Sequence, residues 1–197
     1  MERKLKPIVV DKALREKGLR LFTPEEFRRQ FNVTLRAAQE FIKDHQRDVF
    51  LKLRNGLYAL QSDPPHELEI ANHLYGPSYV SLEYALAYHR LIPEIVYTVT
   101  SVTTKVTRAF TVSGHRYEYA RIKRSAYTGY RLTRVGPAAM VIAVPEKALV
   151  DYCYFVDLKL KSLNDRLNVK KVDPREVMRW ARLFDRPSLV RLLRTLL

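Results

Sequence analysis

One cysteine, Cys153, occurs in 197 residues. A single thiol excludes an intrachain disulfide framework and suits a reducing compartment. It lies in an apolar run and reads as a buried, inert group. Only six glycines are present, and they form neither a phosphate-cradling loop nor a Gly-x-Ser-x-Gly elbow. No stretch approaches the roughly 20 apolar residues of a membrane span. The opening MERKLKPIVVDKALREKG lacks the apolar core of a signal peptide. A soluble cytoplasmic protein with no membrane partner is the expectation. The histidines are His45, His66, His73, His89 and His115, and no two have the i,i+4 spacing of a helical metal site. Neither a metal nor a cofactor is expected.

Acidic residues are also scarce: 21 Asp and Glu face 35 Lys and Arg, a formal net charge of +14. Such an excess calls for an anionic partner, whether DNA, RNA or an acidic protein. The excess is uneven. Residues 1–60 carry 14 Lys and Arg against 8 Asp and Glu, whereas residues 61–121 carry 5 against 6. Residues 122–197 carry 16 against 7. Two basic ends flank a near-neutral middle.

What is present centres on residues 21–60, which read as a winged helix-turn-helix. Thr23 suits a helix N-cap, Pro24 the first helical position, and Glu26 closes a capping box. Phe27 is the buried residue of this helix, and Asn32-Val33 breaks it. Thr34 caps a second helix whose apolar stripe is Leu35, Ala38, Phe41 and Ile42. Arg36, Gln39, Glu40 and Lys43 fall off that stripe, and Arg36, Gln39 and Lys43 are the predicted major-groove contacts, with Thr34 positioning the helix at the backbone. Asn55-Gly56 between two short apolar-rich runs predicts a hairpin with positive φ at both turn positions. Lys52 and Arg54 would line this wing and meet phosphate. A helix from Asp11 to Lys17, capped by Asp11, precedes the module.

Three domain segments follow: 1–60 for DNA binding, 61–65 as a linker stiffened by Pro64-Pro65, and 66–197 as a mixed α+β domain. In the last, helices are predicted over His66–Leu74 and Tyr79–His89. Strands are predicted over Ile95–Val102, Thr107–Val112, Arg116–Lys123, Tyr127–Leu132 and Ala138–Val144. Pro145 opens a helix to about Leu158. The fold class is thus α+β, a winged helix-turn-helix followed by a small sheet with helices on either side and a helical tail. Asp173-Pro174-Arg175-Glu176 repeats the cap, proline and capping-Glu logic, and Arg175, Arg179 and Arg182 share a face. These arginines are candidate secondary contacts for phosphate or for a protein partner.

Residues from about 20 to 156 resemble AbiEi, the antitoxin of the AbiE abortive-infection system. Several stretches carry the resemblance. They are Leu53-Arg54-Asn55-Gly56-Leu57-Tyr58, Ile70-Ala71-Asn72-His73-Leu74, and Pro77-Ser78-Tyr79-Val80-Ser81-Leu82-Glu83-Tyr84-Ala85-Leu86. Leu91-Ile92-Pro93-Glu94, the 98–105 segment and Pro145-Glu146-Lys147-Ala148-Leu149-Val150-Asp151 complete them. Arg90, Val144 and Thr128 depart from the family pattern. The resemblance implies a transcriptional autorepressor that binds double-stranded operator DNA. It also implies an antitoxin that counteracts a cognate nucleotidyltransferase-like toxin without needing a stable complex. A stand-alone winged-helix regulator without a toxin is the alternative.

Catalysis is not expected. A metal-dependent nuclease could draw on Glu146, Lys147, Glu118, Asp151 and Asp157, since clustered carboxylates hold a hard cation near phosphate. Glu146 and Lys147 are adjacent, however, so on a strand they would point to opposite faces. Glu146 fits a helix first turn better, and Lys147 with Asp151 fits an i,i+4 pair.

Overall fold

The computed structural model describes residues 5–136 and 138–197. Two compact units divide the chain between Leu74 and Tyr75. The first unit contains α1 (Pro7–Glu16), β1 (Leu21–Phe22), α2 (Pro24–Phe31), α3 (Leu35–Asp44), β2 (Phe50–Arg54), β3 (Leu57–Leu60) and α4 (Glu67–Leu74). Its antiparallel sheet has the order β1-β3-β2. Phe22, Phe27 and Phe50 are fully buried, and the Phe22 and Phe50 rings meet edge-on at 5.3 Å. Val10, Leu14, Ala38, Ile42 and Leu60 pack in the same cluster. Each buried phenylalanine contributes about 1.5–3 kcal/mol, so three of them dominate the core of this unit.

Four features of this unit differ from the sequence reading. Helix α1 starts at Pro7, with Lys6 rather than Asp11 at the cap position. Pro7 needs no N–H and has its φ preset, while Asp11 stays within the helix and pairs with Arg15 one turn on, at 2.9 Å. Strand β1 was not anticipated; two residues carry no periodicity, and their pairing is supplied by the edge of β3. At the hairpin turn only Gly56 takes a positive φ, +75°. Asn55 does not, and the ladder slips between Lys52 and Arg54, so an irregular register replaces the turn with two left-handed positions. Finally, α4 follows Pro64-Pro65 yet falls within the first unit. Leu68, Ile70, Ala71 and Leu74 are buried, and Arg54 Nε donates to the Leu74 carbonyl at 2.8 Å.

The second unit contains β4 (Ser78–Val80), α5 (Leu82–Tyr88), β5 (Val99–Thr103), β6 (Arg108–Val112), β7 (His115–Arg121), β8 (Tyr130–Val135), β9 (Ala138–Ala143), α6 (Pro145–Asp157), α7 (Pro174–Arg182) and α8 (Pro187–Leu196). Its strands form one six-stranded mixed sheet, β6-β7-β5-β4-β9-β8, larger than the small sheet predicted. The β5–β7 and β4–β9 pairs are parallel; the other neighbours are antiparallel. The chain is therefore mixed α+β.

Ser78–Val80 is a central strand rather than the start of a helix over Tyr79–His89, and the helix begins after Ser81. A strand covered on both faces reads as a continuous apolar run, which periodicity does not separate from a buried helix. The strand predicted from Ile95 begins only at Val99. Ile95 and Tyr97 have β-forming side chains but are 79% and 81% exposed, with no neighbouring strand to pair them. Strand β8 runs over Tyr130–Val135, three residues later than predicted, because Arg124–Ala126 forms a 3-10 turn that holds Tyr127 outside the sheet. Helix α6 opens on Pro145 as predicted. At α7, Asp173 caps by accepting from the Arg175 N–H at 2.8 Å. Glu176 does not close a box: the Asp173 N–H goes to Glu146, and Glu176 pairs with Arg179.

Candidate nucleic-acid interface

Helix α2, its turn and α3 are set by local chemistry. The Thr23 hydroxyl accepts from the Glu26 N–H at 3.2 Å, and Glu26 accepts from the Thr23 N–H at 2.7 Å, closing the box read in the sequence. Asn32 ends α2 in the left-handed region, with φ at 51°. The Thr34 hydroxyl accepts from the Ala37 N–H at 3.2 Å and starts α3. Ala38 and Ile42 are buried in α3, and Arg36, Gln39, Glu40 and Lys43 are exposed on its far side. The predicted contact residues Arg36, Gln39 and Lys43 therefore share one solvent stripe.

Glu40 shares that stripe but was not among the predicted contacts. Its carboxylate accepts from Arg36 Nε at 2.9 Å, and this bond holds the guanidinium pKa above its ordinary value. Among DNA groups, a carboxylate there repels phosphate but can accept from a cytosine amine. Its i,i+4 spacing from Arg36 was the available signal.

On the hairpin, Lys52 is exposed and free to reach an anion. Arg54 is more committed. Its Nε and Nη1 each donate at 2.8 Å, to the carbonyls of Leu74 and Asn55. Its guanidinium thus ties the hairpin to the end of α4, leaving its Nη2 side for other contacts. The α7 arginines are exposed, but Arg179 pairs with Glu176 at 2.6 Å and stacks over Trp180 at 4.2 Å. Among the described residues, Arg175 and Arg182 have no such neighbour.

The second unit holds a cleft of about 770 Å³ lined by Pro77, Thr104, Arg121, Ile122, Lys123, Arg124, Tyr127 and Tyr154. Three cations and no carboxylate lie on its walls. Sequence reasoning missed it. The signal was Arg121-Ile122-Lys123-Arg124, three cations around one buried isoleucine at the end of an alternating strand. The 101–105 segment reaches this cleft through Thr104. Thr103 Oγ1 donates to the Pro77 carbonyl at 2.7 Å, and Lys105 Nζ to the Gly76 carbonyl at 2.5 Å, so the segment is pinned.

Behind the cleft lies a fully buried polar cluster. Lys147 Nζ donates to Asp151 Oδ1 and, at 2.9 Å, to the Tyr79 hydroxyl. Tyr79 and Ser81 donate in turn to Asp151 Oδ2, at 2.9 and 2.8 Å. Burial pushes the Asp151 carboxyl up and the Lys147 ammonium down, each opposed by the other's charge. Burial and Asp151 also push the Tyr79 hydroxyl well up. Cys153 is buried, and burial pushes its thiol up to about 12. The remaining carboxylates weighed for a nuclease sit apart: Glu118 pairs with Arg116, Asp157 accepts from Arg186 and Ser188, and Glu146 accepts from the Asp173 N–H. Among the described residues, no three His, Cys, Asp or Glu side chains converge to hold a metal ion. No helix among them is long and apolar enough to cross a membrane.

No protein-family model matches this chain, and no curated protein matches it either.

Proposed function

We propose that the first unit is a winged helix-turn-helix that reads double-stranded operator DNA and makes this protein a transcriptional repressor. One observation carries the reading: α3, capped by Thr34, presents Arg36, Gln39 and Lys43 on a single solvated stripe. The stripe's donors have the chemistry of major-groove readers, arginine for guanine and glutamine for adenine. Exposed Lys52 on the hairpin supplies a further phosphate contact. The resemblance to AbiEi antitoxins extends the proposal to the second unit, which would counteract a nucleotidyltransferase-like toxin without catalysis of its own.

Gel shifts on the DNA upstream of the gene, against a scrambled duplex over a salt series, test the first part. Tight binding to the upstream DNA alone, weakening steeply with salt, supports specific repression. Equal binding to both duplexes overturns it. Co-expression with a neighbouring nucleotidyltransferase-like toxin tests the second part: growth should be restored. An operator-binding protein with no such gene beside its own would instead be a stand-alone regulator.

A further inference from the structure

We propose that the basic cleft of the second unit binds a phosphorylated nucleoside, with the phosphates on Arg121, Lys123 and Arg124 and the base against Tyr127 or Tyr154. This goes beyond DNA reading by the first unit and does not depend on it. The topology gathers the lining residues. Strands β5 and β7 are parallel neighbours, paired from Val99–Tyr117 to Thr103–Arg121. From their carboxyl ends the chain leaves in opposite directions. After β5 it goes to β6 at one edge of the sheet; after β7 it goes to β8 at the other. Each connection thus passes across the end of the other strand, which brings both to the same end of this parallel pair. Thr104 follows β5, Arg121 ends β7 and Lys123 follows it, so all three stand at that end.

The lining supplies the chemistry. Arg121, Lys123 and Arg124 are exposed, and buried Ile122 anchors the run. Arginine forks and a lysine ammonium match phosphate oxygens. Among the described residues no carboxylate pairs with these three, so their charge is uncompensated until an anion arrives. The aromatic walls are held from behind. The Tyr127 ring lies 5.2 Å from that of Tyr79, and the Tyr154 ring 4.5 Å from that of Phe184. Tyr79 hydrogen-bonds within the Lys147–Asp151 cluster, and Lys147 Nζ lies 5.0 Å over Phe184. Both walls are thus braced by one buried pair. A bare inorganic anion has no use for two fixed rings, whereas a base stacks on either. At about 770 Å³ the cleft has the size of a small-molecule site.

Calorimetric titration of the full chain at low salt tests the proposal without any operator DNA. ATP or GTP is compared with adenosine, with inorganic tripolyphosphate, and with a 5′-phosphorylated trinucleotide. The nucleotide should bind about tenfold more tightly than either adenosine or tripolyphosphate, because base and phosphate both contribute. Tighter binding of the phosphorylated trinucleotide assigns a strand end as the source of the ligand; tighter binding of ATP or GTP assigns a free nucleotide. The double variant Arg121→Ser/Lys123→Ser changes exposed side chains and should keep its circular dichroism and melting curve while losing about tenfold or more in affinity. Absence of binding by every nucleotide, tripolyphosphate matching the nucleotide, or unchanged affinity in a folded double variant would each overturn the proposal.

Discussion

The Tyr79 hydroxyl donates to Asp151 Oδ2 at 2.9 Å, although the two residues are 72 positions apart. This bond joins a central strand to the helix packed against it and places a carboxylate where water does not reach. Asp151 is tolerated there because Lys147, one helical turn earlier, donates to its other oxygen. An ion pair at zero solvent exposure is only as stable as its completeness, since each charge has lost its hydration.

Lys147→Met should therefore destabilise the protein strongly, by about 3–5 kcal/mol, because it leaves Asp151 buried and uncompensated. The double variant Lys147→Met/Asp151→Asn removes both charges while keeping an acceptor for Tyr79 and Ser81. It should be more stable than Lys147→Met alone. Urea unfolding of the three proteins checks the order, and a double variant no more stable than the single one would show that the pair's charge is not the governing feature.

Gly129 closes over the same lysine. Its φ is +76°, and a Cβ there would lie 2.8 Å from Lys147 Cγ. Gly129→Ala combines a left-handed alanine with a displaced lysine stem, a cost of about 1–3 kcal/mol. Gly114→Ala shares the positive φ, +80°, but meets nothing within 4 Å. A larger drop in melting temperature at Gly129 than at Gly114 would isolate the contact with Lys147 from the backbone strain.

In the first unit, Arg36 and Arg54 should separate binding from folding. The Arg36 side chain is 88% exposed and, among the described residues, bonded to Glu40 alone, so Arg36→Ala should leave stability unchanged. On the proposed reading it should cost about 1–3 kcal/mol of operator affinity and relax specificity. Arg54→Ala removes donors to the Leu74 and Asn55 carbonyls and should cost about 1 kcal/mol of stability. Melting curves and gel shifts on both variants distinguish these outcomes, and unaltered operator binding by Arg36→Ala would remove α3 as the reading helix.

His89 adds an acid sensitivity. Its Nε2 lies 2.8 Å from the Ala143 carbonyl, which only accepts, so this nitrogen carries the proton of a neutral ring. Burial, helped by nearby Arg131, lowers its pKa below the ordinary 6.5; the carbonyl and Glu146 oppose the shift. The folded protein thus binds fewer protons than the unfolded chain below that pH. Its contribution to stability is fully present above 6.5 and declines as pH falls through 6.5 toward the lowered folded value. Melting temperatures at about pH 7.5 and about pH 5.5 should diverge more for the wild-type protein than for His89→Gln. Equal divergence would assign the acid response to other groups.

Local signals were legible in residues 21–60. Thr23-Pro24-Glu26, Thr34 and Asn55-Gly56 act on groups within a few positions of themselves, so cap, turn and hairpin could be read directly. The same holds for Pro145 at the head of α6 and Asp173 at the head of α7. The solvated stripe Arg36, Gln39 and Lys43 follows from helical period alone. Strand β1 could not be read so, because two residues have no pattern and their partner is 38 or 36 positions away, at Ala59 and Tyr58. Nor could the loss of strand pairing at Ile95 and Tyr97, whose side chains favour a strand that the sheet does not extend to meet.

The sequence by itself determined the α+β composition, the starts of α2, α3, α6 and α7 and the basic excess at both ends, since these depend on side-chain identity and short spacing. Only the tertiary structure decided that Ser78–Val80 is a central strand, that Lys147 meets Tyr79 as well as Asp151, and that Arg121, Lys123 and Arg124 share a cleft with Tyr154. Each of these joins residues far apart in the chain, and whether they meet depends on strand order, which hydrophobic pattern does not encode. Parallel neighbours such as β5 and β7 are paired by what packs around them, and their pairing is what sets Thr104 and Arg121 at one end of the sheet.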